Sequence, residues 1–97
     1  MMALLLFPNN QKMTSIVRIS ILYFATVKDA TGIRMESIDL SKDTTISEML
    51  SKISMIYPKL KHILNNIQIS VNYRIVDFNT ILKDGDEVAL LPPISGG

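Results

Sequence analysis

The sequence holds no cysteine, no tryptophan and one histidine, His62, in 97 residues. Without cysteine there is no disulfide framework, thiolate nucleophile, Cys-ligated zinc or iron–sulfur site. With His62 alone, a histidine-based metal cage within one chain is excluded as well. Charge of one sign is also scarce: ten Lys and Arg against nine Asp and Glu leave a formal net charge of +1. The basic residues are scattered singly, so no field points to nucleic acid as a partner. Long hydrophobic runs are missing too. Ala3–Phe7 falls far short of the ~20 residues a membrane-spanning helix needs, and no Lys or Arg precedes it as in a secretory signal. No membrane partner is expected, and the expected location is cytoplasmic. What remains, 47% hydrophobic and 20% charged, is the composition of one folded domain. A conventional self-contained active site is not expected.

Pro8-Asn9-Asn10-Gln11-Lys12 breaks any periodicity near the start, so residues 1–15 read as a leader. A start at Met13 is one expectation; packing of Leu4–Phe7 as an extra edge segment is the other. From Ile16 the chain alternates, with Val17, Ile19, Ile21 and Tyr23 on one face and Arg18 and Ser20 opposite, which predicts a strand. Leu22 and Phe24 make its far end apolar on both faces, as for a central strand or one covered by a partner. Asp29-Ala30-Thr31-Gly32 predicts a turn, with Gly32 at positive φ, and Ile33–Leu40 a second strand that completes a hairpin. The alternation slips between Met35 and Ile38, which suggests a bulge.

Thr45-Ile46-Ser47-Glu48 is a capping box. Ile46, Met49, Leu50, Ile53 and Tyr57 follow at helical spacing, and Pro58 ends the helix. Leu60, Ile63 and Leu64 predict a short second helical turn. Ile67–Asn72 alternates as a strand, Ile75–Val76 forms a brief paired segment, Lys83-Asp84-Gly85-Asp86 turns, and Glu87–Leu91 is the last strand. The order β-β-α-(α)-β-β-β predicts an α+β fold: a β-grasp, or ubiquitin-like, roll with a mixed sheet packed on one main helix. The domain spans 16–91, and 92–97 is an extended tail.

That tail reads Pro92-Pro93-Ile94-Ser95-Gly96-Gly97. The prolines fix φ and favour an extended path, so six residues reach roughly 18 Å at ~3.1 Å each. Gly96 and Gly97 lack Cβ atoms and can enter a channel little wider than a backbone. Two glycines in the last two places occur by chance at under about 1% on average usage. A carboxylate is a poor electrophile at neutral pH, but adenylation by a partner using ATP would supply AMP as a leaving group. Sulfur or amine attack then becomes easy.

Ile21-Leu22-Tyr23-Phe24-Ala25, Ile56-Tyr57-Pro58, Ile69-Ser70-Val71-Asn72 and above all Leu82–Gly97 carry a family pattern. From Val17 onward the chain resembles the MoaD/ThiS-like sulfur carriers, nearest their MoaD branch, the small subunits of molybdopterin synthase. It departs at the leader and at Tyr73-Arg74, where relatives commonly have a small or acidic turn residue. The resemblance implies that an E1-like, MoeB-like adenylyltransferase activates Gly97. A sulfurtransferase or other sulfur source then makes it a thiocarboxylate. The tail would enter a MoaE-like large subunit, which holds the catalytic side chains, to sulfurate cyclic pyranopterin monophosphate to molybdopterin. Gly97 is then the reacting residue and Gly96 gives clearance. Leu91, Pro92, Pro93, Ile94 and Ser95 are the candidate partner contacts. No cofactor or metal is expected on this chain, and ATP belongs to the activating partner.

Three alternatives remain. These are a ubiquitin-like modifier joined through Gly97 to target lysines, a thiamine-type carrier, and a β-grasp interaction module whose glycines do no chemistry. Other features have plainer readings. His62, Lys59 and Lys61 fit a solvated segment, Asp84, Asp86 and Glu87 fit turn chemistry, and Met49 fits the core.

Overall fold

The computed structural model describes residues 15–93. The leader to residue 14 and the tail from Ile94 to Gly97 lie outside the described residues. Strand β1 (Ile16–Tyr23) leads into a short helix α1 (Ala25–Thr31), then β2 (Met35–Ser41) and the main helix α2 (Ile46–Ile56). Two 3-10 turns, Pro58–His62 and Leu64–Asn66, precede β3 (Gln68–Val71), β4 (Arg74–Val76) and β5 (Glu87–Leu91). The sheet order is β2-β1-β5-β3-β4. The first and last strands lie parallel at the centre and the other pairs are antiparallel. This is the expected β-grasp: a mixed sheet with the main helix on one face.

Alternation decides which side faces that helix. Val17, Ile19, Ile21 and Tyr23 of β1 are buried, together with Leu40, Ile69, Val88 and Leu90 from neighbouring strands. They form one cluster with Ile46, Met49, Leu50 and Ile53 of α2, and with Leu60 and Leu82. Each full Leu or Ile burial contributes about 1.5–3 kcal/mol. The helix starts where expected. Thr45 Oγ1 accepts from the Glu48 amide at 3.2 Å, and the Thr45 amide donates to Glu48 Oε1 at 2.9 Å. It stops at Tyr57, before Pro58.

Two expectations change. The first connection is not a tight turn, because α1 lies between β1 and β2. Gly32 caps that helix at φ +81°, donating its amide to the Lys28 carbonyl at 2.8 Å. One buried anchor, Val27, in a seven-residue segment left no helical periodicity to read. The second strand therefore begins at Met35 rather than Ile33. Nor is there a bulge: β1 and β2 pair without interruption from Ile16↔Ser41 to Leu22↔Met35. The slip in alternation arises because a carboxylate, Glu36, occupies an inward position opposite Ile21.

Two tyrosines make that position tolerable. Tyr23 donates to Glu36 Oε2 at 2.5 Å and Tyr57 donates to the same oxygen at 2.9 Å. Their rings meet edge-on, with centroids 6.1 Å apart. The cluster ties β1, β2 and the end of α2 together through charge-assisted hydrogen bonds. Burial first, then the Glu36 carboxylate, pushes the Tyr23 phenol far above its ordinary value, and Tyr57 moves up for the same reasons. A phenol whose folded pKa is raised stabilises the fold fully below its unfolded pKa, about 10. That stability is lost as pH rises above it. Thermal melts should therefore show a steep alkaline loss starting near pH 10. In Tyr23→Phe the loss should be shallower; an unchanged alkaline slope would contradict the assignment.

Candidate functional site

The candidate site grows out of β5. Its register with β1 runs from Ser20↔Glu87 to Tyr23↔Leu90, and with β3 from Gln68↔Leu91 to Val71↔Val88. The strand is thus hydrogen-bonded along both edges, which is why Val88, Ala89 and Leu90 are all buried. Leu91 and Pro92 are half-buried and Pro93 is exposed. Ile94, Ser95, Gly96 and Gly97, the remaining residues expected to act, lie outside the described residues.

A turn fixes where β5 begins. Asp84 Oδ1 accepts from the Arg18 amide at 2.8 Å, and the Gly85 amide donates to the Arg18 carbonyl at 2.8 Å. Asp86 Oδ2 accepts from the Lys83 amide at 2.8 Å, and Asp86 Oδ1 accepts from Asn72 Nδ2 at 2.9 Å. Asp84 and Asp86 therefore build this turn and tie it to β1 and to Asn72, in keeping with the expected turn chemistry. Gly85 sits at φ +87°, a region that L side chains rarely adopt.

The sheet face turned away from α2 is the part that sequence reasoning missed. The register lines up Met35, Leu22, Ala89, Ser70 and Ile75 across all five strands. Met35 is 57% exposed and Ile75 59%, so apolar surface flanks the closely packed Ala89. Phe24, 45% exposed, and Leu91 follow directly on the Tyr23–Leu90 pair. An apolar face therefore runs up to the root of the tail. Beside it, Leu22, Tyr23, Phe24, Ala25, Lys28 and Arg34 line a hollow of about 360 Å³. Its floor is apolar and its rim carries two cations. A larger hollow of about 590 Å³, lined by residues that include Ile16, Ile81 and Asp84, lies at the other end of β1, away from Leu91.

The signal for this face was partly present. Leu22 and Phe24 read as apolar on the far side of β1, as a partner-covered strand would. The face of Met35 was obscured by the break in alternation between Met35 and Ile38, and that of Ile75 by the shortness of β4. Farther along the same face, Arg18 Nε meets Asp39 Oδ1 at 2.7 Å. That hydrogen bond, then charge attraction, raises the guanidinium pKa, and Arg18 holds the Asp39 carboxyl below its usual range. With side chains 70% and 49% exposed, the pair contributes little stability. His62, Lys59 and Lys61 are exposed and take no part in the site. Among the described residues no group of three or more His, Cys, Asp or Glu could hold a metal. None of their helices is long and apolar enough to cross a membrane.

The ThiS family profile matches residues 21–97. The molybdopterin synthase sulfur carrier subunit of Homo sapiens is 32% identical over 88 residues, covering 88% of this chain and all of the relative. The subunit of the same name from Mycobacterium tuberculosis is 30% identical over 82 residues, covering 84% of this chain and 99% of its own. Among solved structures, a complex of subunits 1 and 2 of the molybdopterin-converting factor from Helicobacter pylori contains a chain with TM-score 0.58 and 30% identity. That match covers 84% of this chain and 100% of that one. SAMP1 of Haloferax volcanii, a small archaeal modifier protein, matches with TM-score 0.74 and 25% identity over 82% of this chain and 99% of its own. A ubiquitin from Caldiarchaeum subterraneum shares the fold at TM-score 0.59 and 16% identity, covering 84% of this chain and 99% of that one.

Gly85 offers a clean test of how the turn sets β5. No atom lies within 4 Å of a Cβ added there, so Gly85→Ala changes backbone preference alone. Chemical denaturation should show a loss of about 1 kcal/mol or more. An unchanged midpoint would mean that the turn does not demand its left-handed geometry.

Proposed function

The chain belongs to the ThiS family, and on that premise we propose that it is the sulfur carrier subunit of a molybdopterin synthase. The observation that carries this reading is the match to relatives of that name over 99–100% of their length, with the family match running through Gly97. The Gly97 carboxylate attacks ATP in the active site of an E1-like enzyme, releasing pyrophosphate and forming an acyl-adenylate. Hydrosulfide displaces AMP and leaves a thiocarboxylate. Where a sulfurtransferase delivers the sulfur as a persulfide, its attack displaces AMP to form an acyl disulfide, and a second thiol reduces that bond, releasing the thiocarboxylate and a disulfide. Its sulfur passes to cyclic pyranopterin monophosphate inside a MoaE-like large subunit, and hydrolysis returns the carboxylate.

Each part of this chain has a task in that cycle. β5, held on both edges, gives the tail a fixed origin. Pro92 and Pro93 stiffen its exit, which limits the entropy lost on insertion. Gly96 leaves room around the reacting carbon. The apolar face of Leu22, Phe24, Met35 and Ile75 seats the large subunit beside the tail root, where burial drives association. The catalytic side chains are assigned to that subunit, ATP to the activating enzyme, and the setting to the cytoplasm.

A second reading, a protein modifier joined through Gly97 to target lysines, is favoured by the likeness to SAMP1. Both readings use the same activated glycine. Lysine conjugates recovered from cells would support the modifier; a thiocarboxylate without conjugates would argue against it.

Reconstitution with the large subunit, activating enzyme, ATP, sulfur donor and cyclic pyranopterin monophosphate should yield molybdopterin. One residue added after Gly97 should abolish product without shifting the melting curve. Product from the extended chain would sink the proposal. The double variant Phe24→Asp/Ile75→Asp should keep its stability within about 1 kcal/mol, as expected for two exposed positions. It should bind the large subunit at least about tenfold more weakly. Undiminished binding would remove the sheet face from the interface.

A further inference from the structure

Among the described residues, four other than glycine adopt positive φ: Ala25 at +50°, Asp43 at +67°, Asn72 at +51° and Tyr73 at +73°. Aspartate and asparagine tolerate this region, and Ala25 is small; a bulky aromatic in it is a genuine outlier. Tyr73 is there because only Asn72 and Tyr73 separate the paired residues Val71 and Arg74. Two central residues at positive φ make the hairpin turn that normally reads Asn-Gly.

The structure holds Asn72 firmly. Its amide donates to the Glu87 carbonyl at 2.8 Å, its Oδ1 accepts from the Glu87 amide at 3.0 Å, and its Nδ2 reaches Asp86. These bonds set the turn, and the turn imposes the left-handed geometry on Tyr73. Yet the Tyr73 side chain does little inside the fold. The residue is 89% exposed, and hydrogen bonding to the Glu87 carboxylate, then its charge, raises the phenol pKa. Strain of this kind clusters at functional positions, and an exposed tyrosine is a preferred interface anchor.

Its position fits that use. Glu87 pairs with Ser20 and lies on the sheet face away from α2, so Tyr73 borders the same face as Ile75 and Leu22. It stands at the start of β5, whereas the tail leaves from the end, about 13 Å along the strand. A protein that only handled the tail tip would not need to reach it. One that seats the whole apolar face would.

We propose that Tyr73 is a specificity anchor for the synthase large subunit. Its ring enters an apolar slot on that subunit, and a basic group at the mouth of the slot meets Glu87. The inference rests on the functional reading above and adds a contact at the end of the sheet face farthest from the tail. A glycine would suit the turn better; the tyrosine exchanges fold stability for partner binding.

The test uses the full-length chain and the large subunit of the same organism, with titration calorimetry and thermal melts on Tyr73→Gly and Tyr73→Phe. Tyr73→Gly should melt about 4–8 °C higher and bind the large subunit roughly tenfold or more weakly. Tyr73→Phe, which keeps the ring, should bind within about threefold of wild type. Thiocarboxylation by the activating enzyme should be unchanged in both. Wild-type affinity in Tyr73→Gly, or no rise in its melting temperature, would overturn the inference. So would a loss of thiocarboxylation without a loss of binding. If the unaltered chain fails to bind the large subunit, the functional reading falls and takes this inference with it. If the unaltered chain binds and Tyr73→Gly matches it, only the inference falls.

Discussion

The parallel pairing of β1 with β5 is the constraint on which the rest of this molecule depends. A parallel pair cannot be closed by a tight turn, so the chain between Tyr23 and Glu87 must take a long path that covers one face of the sheet before it returns. That path supplies α1, β2, α2, both 3-10 turns and the β3–β4 hairpin. It also places the last strand at the centre of the sheet rather than at an edge. A central strand is hard to peel away, because ladders on both sides must break together. The tail therefore starts from the most tightly held part of the backbone.

The two faces of the sheet divide the remaining work. One is closed by α2 and carries the core that makes the domain stable. The other keeps Met35, Ile75 and Phe24 in contact with solvent, close to where the tail departs. On the proposed reading, that surface seats the large subunit beside the end of β5. The chemistry then takes place at the Gly97 carboxyl carbon, and the side chains of this chain position it.

Much of this was legible in the sequence. The alternation of Val17 to Tyr23, the Thr45–Glu48 capping box, Pro58, the Lys83–Asp86 turn and the hydrophobic spacing of the main helix each rest on a local rule. All appear in the structure. The failures were those in which tertiary contacts overrode local pattern. α1 has a single buried anchor, Val27, and no periodicity of its own. Glu36 broke the alternation of β2 because two tyrosine hydroxyls, from residues distant in sequence, stabilise it inside. The apolar sheet face was only half visible, since its row of residues comes from five strands and exists only once their register is set. The roles of Gly96 and Gly97 were read from the chemistry of the tail together with the family resemblance, and both residues lie outside the described residues.

Whether Gly97 carries sulfur is tested by intact-protein mass spectrometry after incubation with the E1-like enzyme, ATP and a sulfur donor. One oxygen of the Gly97 carboxylate should be replaced by sulfur, with fragment ions placing the change on the last residue. A terminus that stays a carboxylate, under conditions that convert a known carrier, would contradict it.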